Sequence, residues 1–163
     1  MVFSSRLFGA IALVSLAVAG CAPTAARSPD AAVAAGDRAG LVPLEIRTAR
    51  GVQRYQVEIA ATPEEQARGL MYRTSLPDHG GMIFPMAPPR PASFWMKNTY
   101  IPLDMIFIRP DGSIARIAAN TVPESLDAID SGEPVSAVLE IAGGAAAAAG
   151  IAEGDKVRWT VAR

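Results

Sequence analysis

Residues 94–104 read Phe-Trp-Met-Lys-Asn-Thr-Tyr-Ile-Pro-Leu-Asp. Within this stretch an indole, an ammonium, a carboxamide and a carboxylate (Trp95, Lys97, Asn98 and Asp104) lie close enough in sequence to share a site. In an extended strand alternate side chains share a face, so Phe94 and Met96 point one way and Trp95 and Lys97 the other. A hairpin symmetric about Tyr100 and Ile101 sets Lys97 opposite Asp104, Met96 opposite Met105 and Trp95 opposite Ile106, placing a charged pair beside an indole. Asp104 sits in Ile101–Ile108, a run otherwise apolar on both faces, where an unpartnered carboxylate is costly to bury. Its expected partner is Lys97 or the amides of the Asn98-Thr99 turn. Two uses follow. One is a structural ion pair with a turn cap. The other is a ligand site in which Trp95 offers a stacking face and Lys97, Asn98 and Asp104 offer directed hydrogen bonds to a small molecule or a saccharide.

Two further chemistries are open to the same region. A hydrolase-like enzyme would use Asp104 with Lys97, and Glu124, Glu140 and His79 are the other groups able to move a proton. A pair of carboxylates could serve glycoside hydrolysis at the right separation, but no nucleophile with a neighbouring base is visible. Met71, Met82, Met86, Met96 and Met105 fall within 35 positions around His79 and Trp95, and thioethers with imidazole suit Cu(I). Methionine also fills cores, and Met96 and Met105 share a face with Phe94 and Phe107 in the expected register. No cofactor is expected.

Composition narrows the classes. Lys+Arg 15 against Asp+Glu 16, with no basic run, argues against a nucleic-acid partner. One cysteine excludes an internal disulfide framework, and no Cys/His spacing suits structural zinc. The phosphate-binding, dinucleotide-binding, GxSxG and HExxH motifs are missing.

That single cysteine is Cys21. It follows Met1–Arg6, with one positive charge, and the uncharged run Leu7–Gly20, which is short for a membrane span. Residues 1–20 therefore read as a signal peptide. Val18-Ala19-Gly20-Cys21 resembles a bacterial lipobox, in which the cysteine is acylated and becomes the first mature residue. Acyl chains would anchor the protein to the membrane, each buried methylene adding about 0.8 kcal/mol. Ala22 follows, without the aspartate of inner-membrane retention, so the expectation is the outer membrane, facing the periplasm. Residues 21–40, rich in Ala, Pro, Gly and Asp, read as the lipidated cysteine and a flexible tether. Residues 41–163 remain as one β-rich domain, expected to be a monomer.

Within it, Leu44, Ile46 and Thr48 alternate with charged residues, and Val52–Ile59 alternates likewise across Ala49-Arg50-Gly51, which predicts a hairpin. Thr62-Pro63-Glu64-Glu65 starts a helix with a capping box, and Gly69 stops it. Arg68 and Arg73 flank its end, where cations oppose the dipole. Gly81–Pro85, Ala92–Lys97 and Ile101–Ile108 read as strands. Pro110-Asp111-Gly112 turns the chain so that Ser113–Thr121 pairs back, and Val135–Ile141 and Asp155–Val161 complete the set. Gly143–Ile151, with five alanines, gives a second short helix. Pro88–Pro91 reads as a stiff surface loop, His79 as an exposed turn residue, and Trp159 as closing the core. The expected class is α+β, mostly β: an antiparallel, barrel-like sheet of about seven strands with two short helices.

Gly69-Leu70-Met71-Tyr72-Arg73, Gly81-Met82-Ile83-Phe84, Phe94–Thr99 with Ile101-Pro102-Leu103-Asp104, Leu139-Glu140 with Gly143, and Gly150-Ile151 with Gly154-Asp155 resemble the domain of unknown function 192 family of bacteria and archaea. The resemblance covers nearly all of residues 44–161. It implies a small β-rich fold, often exported, and no established activity. It also suggests that Arg73, in the GLMYR run, lines any pocket. Many members carry a cysteine pair after the fifth strand; here Glu124-Ser125 and Ser136 stand in that region, so a redox or metal role resting on that pair is excluded.

Overall fold

The computed structural model describes residues 40–160. Residues 1–39, on which the signal-peptide, lipidation and tether expectations fall, lie outside them, as do residues 161–163. The elements are β1 (Val42–Thr48), β2 (Gly51–Ile59), α1 (Pro63–Arg68), β3 (Gly80–Phe94), β4 (Leu103–Ile108), β5 (Ile114–Ala118), β6 (Ile129–Ala142), α2 (Ala145–Ala149) and β7 (Lys156–Trp159). The seven strands form one sheet in the order β5-β4-β6-β3-β2-β1-β7. Every pairing is antiparallel except β2 with β3. The sheet curls into a half-barrel. Its two ends meet through an antiparallel bridge between Ser113 and Lys156 and through main-chain bonds that join Ile114 to Asp155 and Gly154.

The β1–β2 hairpin is the one the alternation predicts, with Thr48 paired to Gly51. At α1 the expected capping box is complete: Thr62 Oγ1 accepts from Glu65 N, and the Glu65 carboxylate accepts from Thr62 N and Ala61 N. Those main-chain bonds hold the Glu65 carboxyl below its ordinary range.

Two expectations are corrected. Gly81–Pro85 and Ala92–Lys97 are not separate strands but parts of the single bent β3, which ends at Phe94 and slips register between Pro85 and Arg90 along the exposed proline-rich stretch. Second, β3 does not form a hairpin with β4, because β6 lies between them. All six residues of β4 are buried. A strand apolar on both faces gains most with a neighbour on each edge, and β4 obtains them from β5 and β6.

Alternation along the strands separates two apolar clusters, one on each face of the sheet. Ile106, Ile108, Leu139, Ile141, Tyr55 and Val57 belong to the first. Leu103, Met105, Phe107, Val138, Phe84, Met82 and Met96 belong to the second, together with Leu70 from the segment after α1. Trp159 packs half-buried against the first cluster, closing it as expected.

Candidate functional site

Glu140 interrupts the apolar run of β6 on the side of the second cluster. Its neighbours across the sheet are Met82 on β3 and Met105 on β4, one on each side. It is 4% exposed, and its carboxylate receives no hydrogen bond within residues 40–160. Every fully enclosed side-chain oxygen or nitrogen among the described residues has a partner, so the Glu140 oxygens must touch open space. That space is a cavity of about 340 Å³ between the sheet and the α1–Met71 segment. Gly69 lies directly over the floor: a Cβ there would stand 3.2 Å from the Phe84 ring and 4.0 Å from Glu140 Oε2. Gly81 lets β3 approach β6 beside the glutamate, since a Cβ on it would come within 2.3 Å of the Glu140 carbonyl oxygen.

Burial without a partner pushes the Glu140 carboxyl up to about 8. At neutral pH the floor therefore presents a neutral carboxylic acid, which can both donate and accept a hydrogen bond. Phe84, Phe94 and Trp95 line the walls, and Arg68 and Arg90 stand among the lining residues. Neither arginine has an ion-pair partner among the described residues. Phe94 meets Phe84 edge-on at 5.2 Å, which fixes the aromatic wall.

The sequence-predicted residues divide. Trp95 lines this cavity and is half exposed. Lys97 is exposed, with its Nζ 5.0 Å from the Trp95 ring centroid, a cation–π contact that agrees with the expected alternation. Asn98 lies in the left-handed region (φ 54°), where asparagine is tolerated. Its Nδ2 donates to the Tyr72 hydroxyl (2.9 Å) and its main-chain carbonyl accepts from Tyr72 N (2.8 Å), so it pins the post-helix segment that roofs the cavity. Arg73 does not line the cavity. It forms a two-pronged ion pair with Glu58, which raises its own pKa further, in an adjoining hollow.

Asp104 is placed elsewhere. It is fully buried on the first-cluster face, where its two oxygens accept from the amides of Asn120 (2.8 Å), Gly144 (3.0 Å) and Ala146 (2.8 Å). Neither Lys97 nor the Asn98-Thr99 amides bind it, and Trp95 is not opposite Ile106. The residues that do face Ile106 are Leu139 on β6 and Ile117 on β5. Asp104 and Glu140 point to opposite faces, so the two-carboxylate arrangement does not form. The methionines do not converge either: Met96 and Met105 are sealed in the core, while Met71 and Met86 reach the cavity. His79 sits on the other face against Tyr55. Of the groups named from sequence as proton carriers, only Glu140 meets the cavity; the signal was one carboxylate in an apolar strand. Thr99 and Arg90 also line the cavity; the sequence marks them only as part of a turn and of a proline-rich loop, not as site residues.

Residues 45–159 match the profile of DUF192, described as an uncharacterized ACR. The chain belongs to the DUF192 family. A protein of unknown function from Novosphingobium aromaticivorans DSM 12444 is 49% identical over 73% of this chain and 85% of its own, with a TM-score of 0.72. A candidate transcription regulator from Sinorhizobium meliloti 1021 is 42% identical over 73% of this chain and 93% of its own, with a TM-score of 0.71. No curated protein matches the chain. As a DUF192 member the chain thus has relatives of known structure whose descriptions give no established activity.

Proposed function

We propose that this DUF192 domain is a non-catalytic binding module. Its site is the cavity over Glu140, and its ligand is a small molecule with a flat or apolar face and several hydroxyls, such as a saccharide unit. The observation that carries the proposal is Glu140 itself: a buried carboxyl that contributes no hydrogen bond to the fold yet opens into a cavity costs stability and returns none. A ligand hydroxyl would complete it. Trp95 and Phe94 supply the stacking wall, and Arg68 and Arg90 supply donors. Placement in the envelope follows from the sequence: a signal peptide, lipidation at Cys21 and a tether hold the domain at the outer membrane, facing the periplasm.

Two measurements test these points. Native mass spectrometry of the chain released from membranes in mild detergent should show a retained small-molecule mass that Trp95→Ala and Glu140→Leu each reduce. A mass retained equally by both variants contradicts binding at this cavity. For the anchor, Cys21→Ser should move the protein from the membrane to the soluble fraction; unchanged membrane association would contradict lipidation.

A further inference from the structure

A second hollow, of about 520 Å³, opens on the opposite face of the sheet and shares no residue with the Glu140 cavity. It lies between α2 and the segment 76–80, with Tyr55 and Ile141 on its floor. Tyr55 is 3% exposed, and its hydroxyl has no hydrogen-bond partner among the described residues. No fully enclosed side-chain oxygen there lacks a partner, so the hydroxyl opens into the hollow. Burial, and secondarily the Asp104 charge, push the phenol up, which keeps it a neutral donor. The His79 ring meets Tyr55 edge-on at 5.3 Å and orients it.

The lining also carries two opposite charges that are not joined. Arg50 and Asp78 both line the hollow, and neither has an ion-pair partner among the described residues. The Arg50 side chain lies over Gly150 at the end of α2, where a Cβ would come 2.5 Å from Arg50 Cδ. The remaining surface is apolar, from Leu76, Ile141 and the alanines of α2. Asp104, behind Tyr55, already has both oxygens saturated by main-chain amides.

We infer that this hollow binds a small zwitterion with an apolar body, the chemistry of a free aliphatic amino acid or a short peptide. Arg50 takes the carboxylate, Asp78 the ammonium, Tyr55 donates a hydrogen bond from the floor, and the α2 alanines cover the side chain.

Amide NMR of the full chain, titrated with leucine, leucyl-leucine, N-acetyl-leucine and leucinamide, tests the inference. Saturable shifts are expected at Gly80, Ala145 and Ala148 with leucine or leucyl-leucine, and the tighter of the two identifies the source. Loss of either charge, in N-acetyl-leucine or in leucinamide, should weaken binding at least about tenfold. Arg50→Gln and Asp78→Asn should do the same without moving the unfolding midpoint, and Tyr55→Phe should weaken binding in a chain that still folds. No saturable shift with leucine or leucyl-leucine, equal binding of the singly charged analogues, or shifts confined to the Trp95 side would overturn it.

Discussion

Alanine at position 104 is expected to destabilise the domain by about 3 to 5 kcal/mol, the scale for leaving several buried donors without their charged acceptor. The amides of Asn120, Gly144 and Ala146 all lose their partner at once. Two of these belong to the start of α2, a helix of five residues that cannot hold itself together alone. The strand β4, the segment after β5 that carries Asn120 and the junction of β6 with α2 would therefore loosen together. Asp104→Asn retains one acceptor oxygen and turns an NH₂ toward the remaining donors, so a loss of about 1 to 3 kcal/mol is expected. Lys97→Ala should cost less than about 0.5 kcal/mol, because Lys97 is an exposed side chain with no part in holding Asp104. Urea unfolding of the three variants decides between the amide cradle and an ion pair. A Lys97→Ala loss comparable to that of Asp104→Ala would contradict the cradle.

The pH dependence of stability is the second large effect, and Glu140 dominates it. Its carboxyl lies near 4.5 in the unfolded chain and near 8 in the folded one. Below pH 4.5 both states hold the proton and nothing is lost. Between these values the unfolded chain has released the proton while the fold keeps it, so stability falls by about 1.4 kcal/mol per pH unit. It levels off once the folded group ionises, after a loss of several kcal/mol. Asp111 and Glu65 are both shifted downward, so the stability they confer changes only as pH falls below the ordinary carboxylate range, outside this window. Glu140→Gln should flatten the profile and exceed the native protein's stability increasingly from pH 5 to pH 8. Parallel profiles for the two proteins would mean that Glu140 ionises normally.

The local signals were the legible ones. The Thr62–Glu65 capping box, the β1–β2 alternation and the five alanines of α2 each specify their own element through contacts a few residues apart, and each is present. What failed was pairing between distant strands. Nothing in Phe94–Asp104 says that β6, some 25 or more residues later, will insert between β3 and β4, and the hairpin register that joined Lys97 to Asp104 failed with it. The same insertion makes the site. Glu140 faces the cavity because β6 runs between Met82 and Met105, whereas the sequence marks it only as a charge in an apolar strand. The sharing of one face by Trp95 and Lys97 is legible, since alternation along an extended segment needs no partner strand, and the two side chains do meet. For Arg73 the resemblance of the Gly69–Arg73 run suggests only that it lines a pocket; its ion pair with Glu58 on β2, in the adjoining hollow, is a long-range contact that local reasoning cannot reach.

The most direct test of binding over Glu140 uses the methionines as reporters. Met71 and Met86 line the cavity, whereas Met96 and Met105 are sealed in the core. In a methyl NMR spectrum of the protein labelled at methionine, titrated with a panel of mono- and disaccharides and small polyols, at least one compound should shift Met71 and Met86 saturably, and Glu140→Leu should abolish the shift. If no compound moves these two methyls, or if they move no more than Met105, the cavity over Glu140 is not a binding site for that class of ligand.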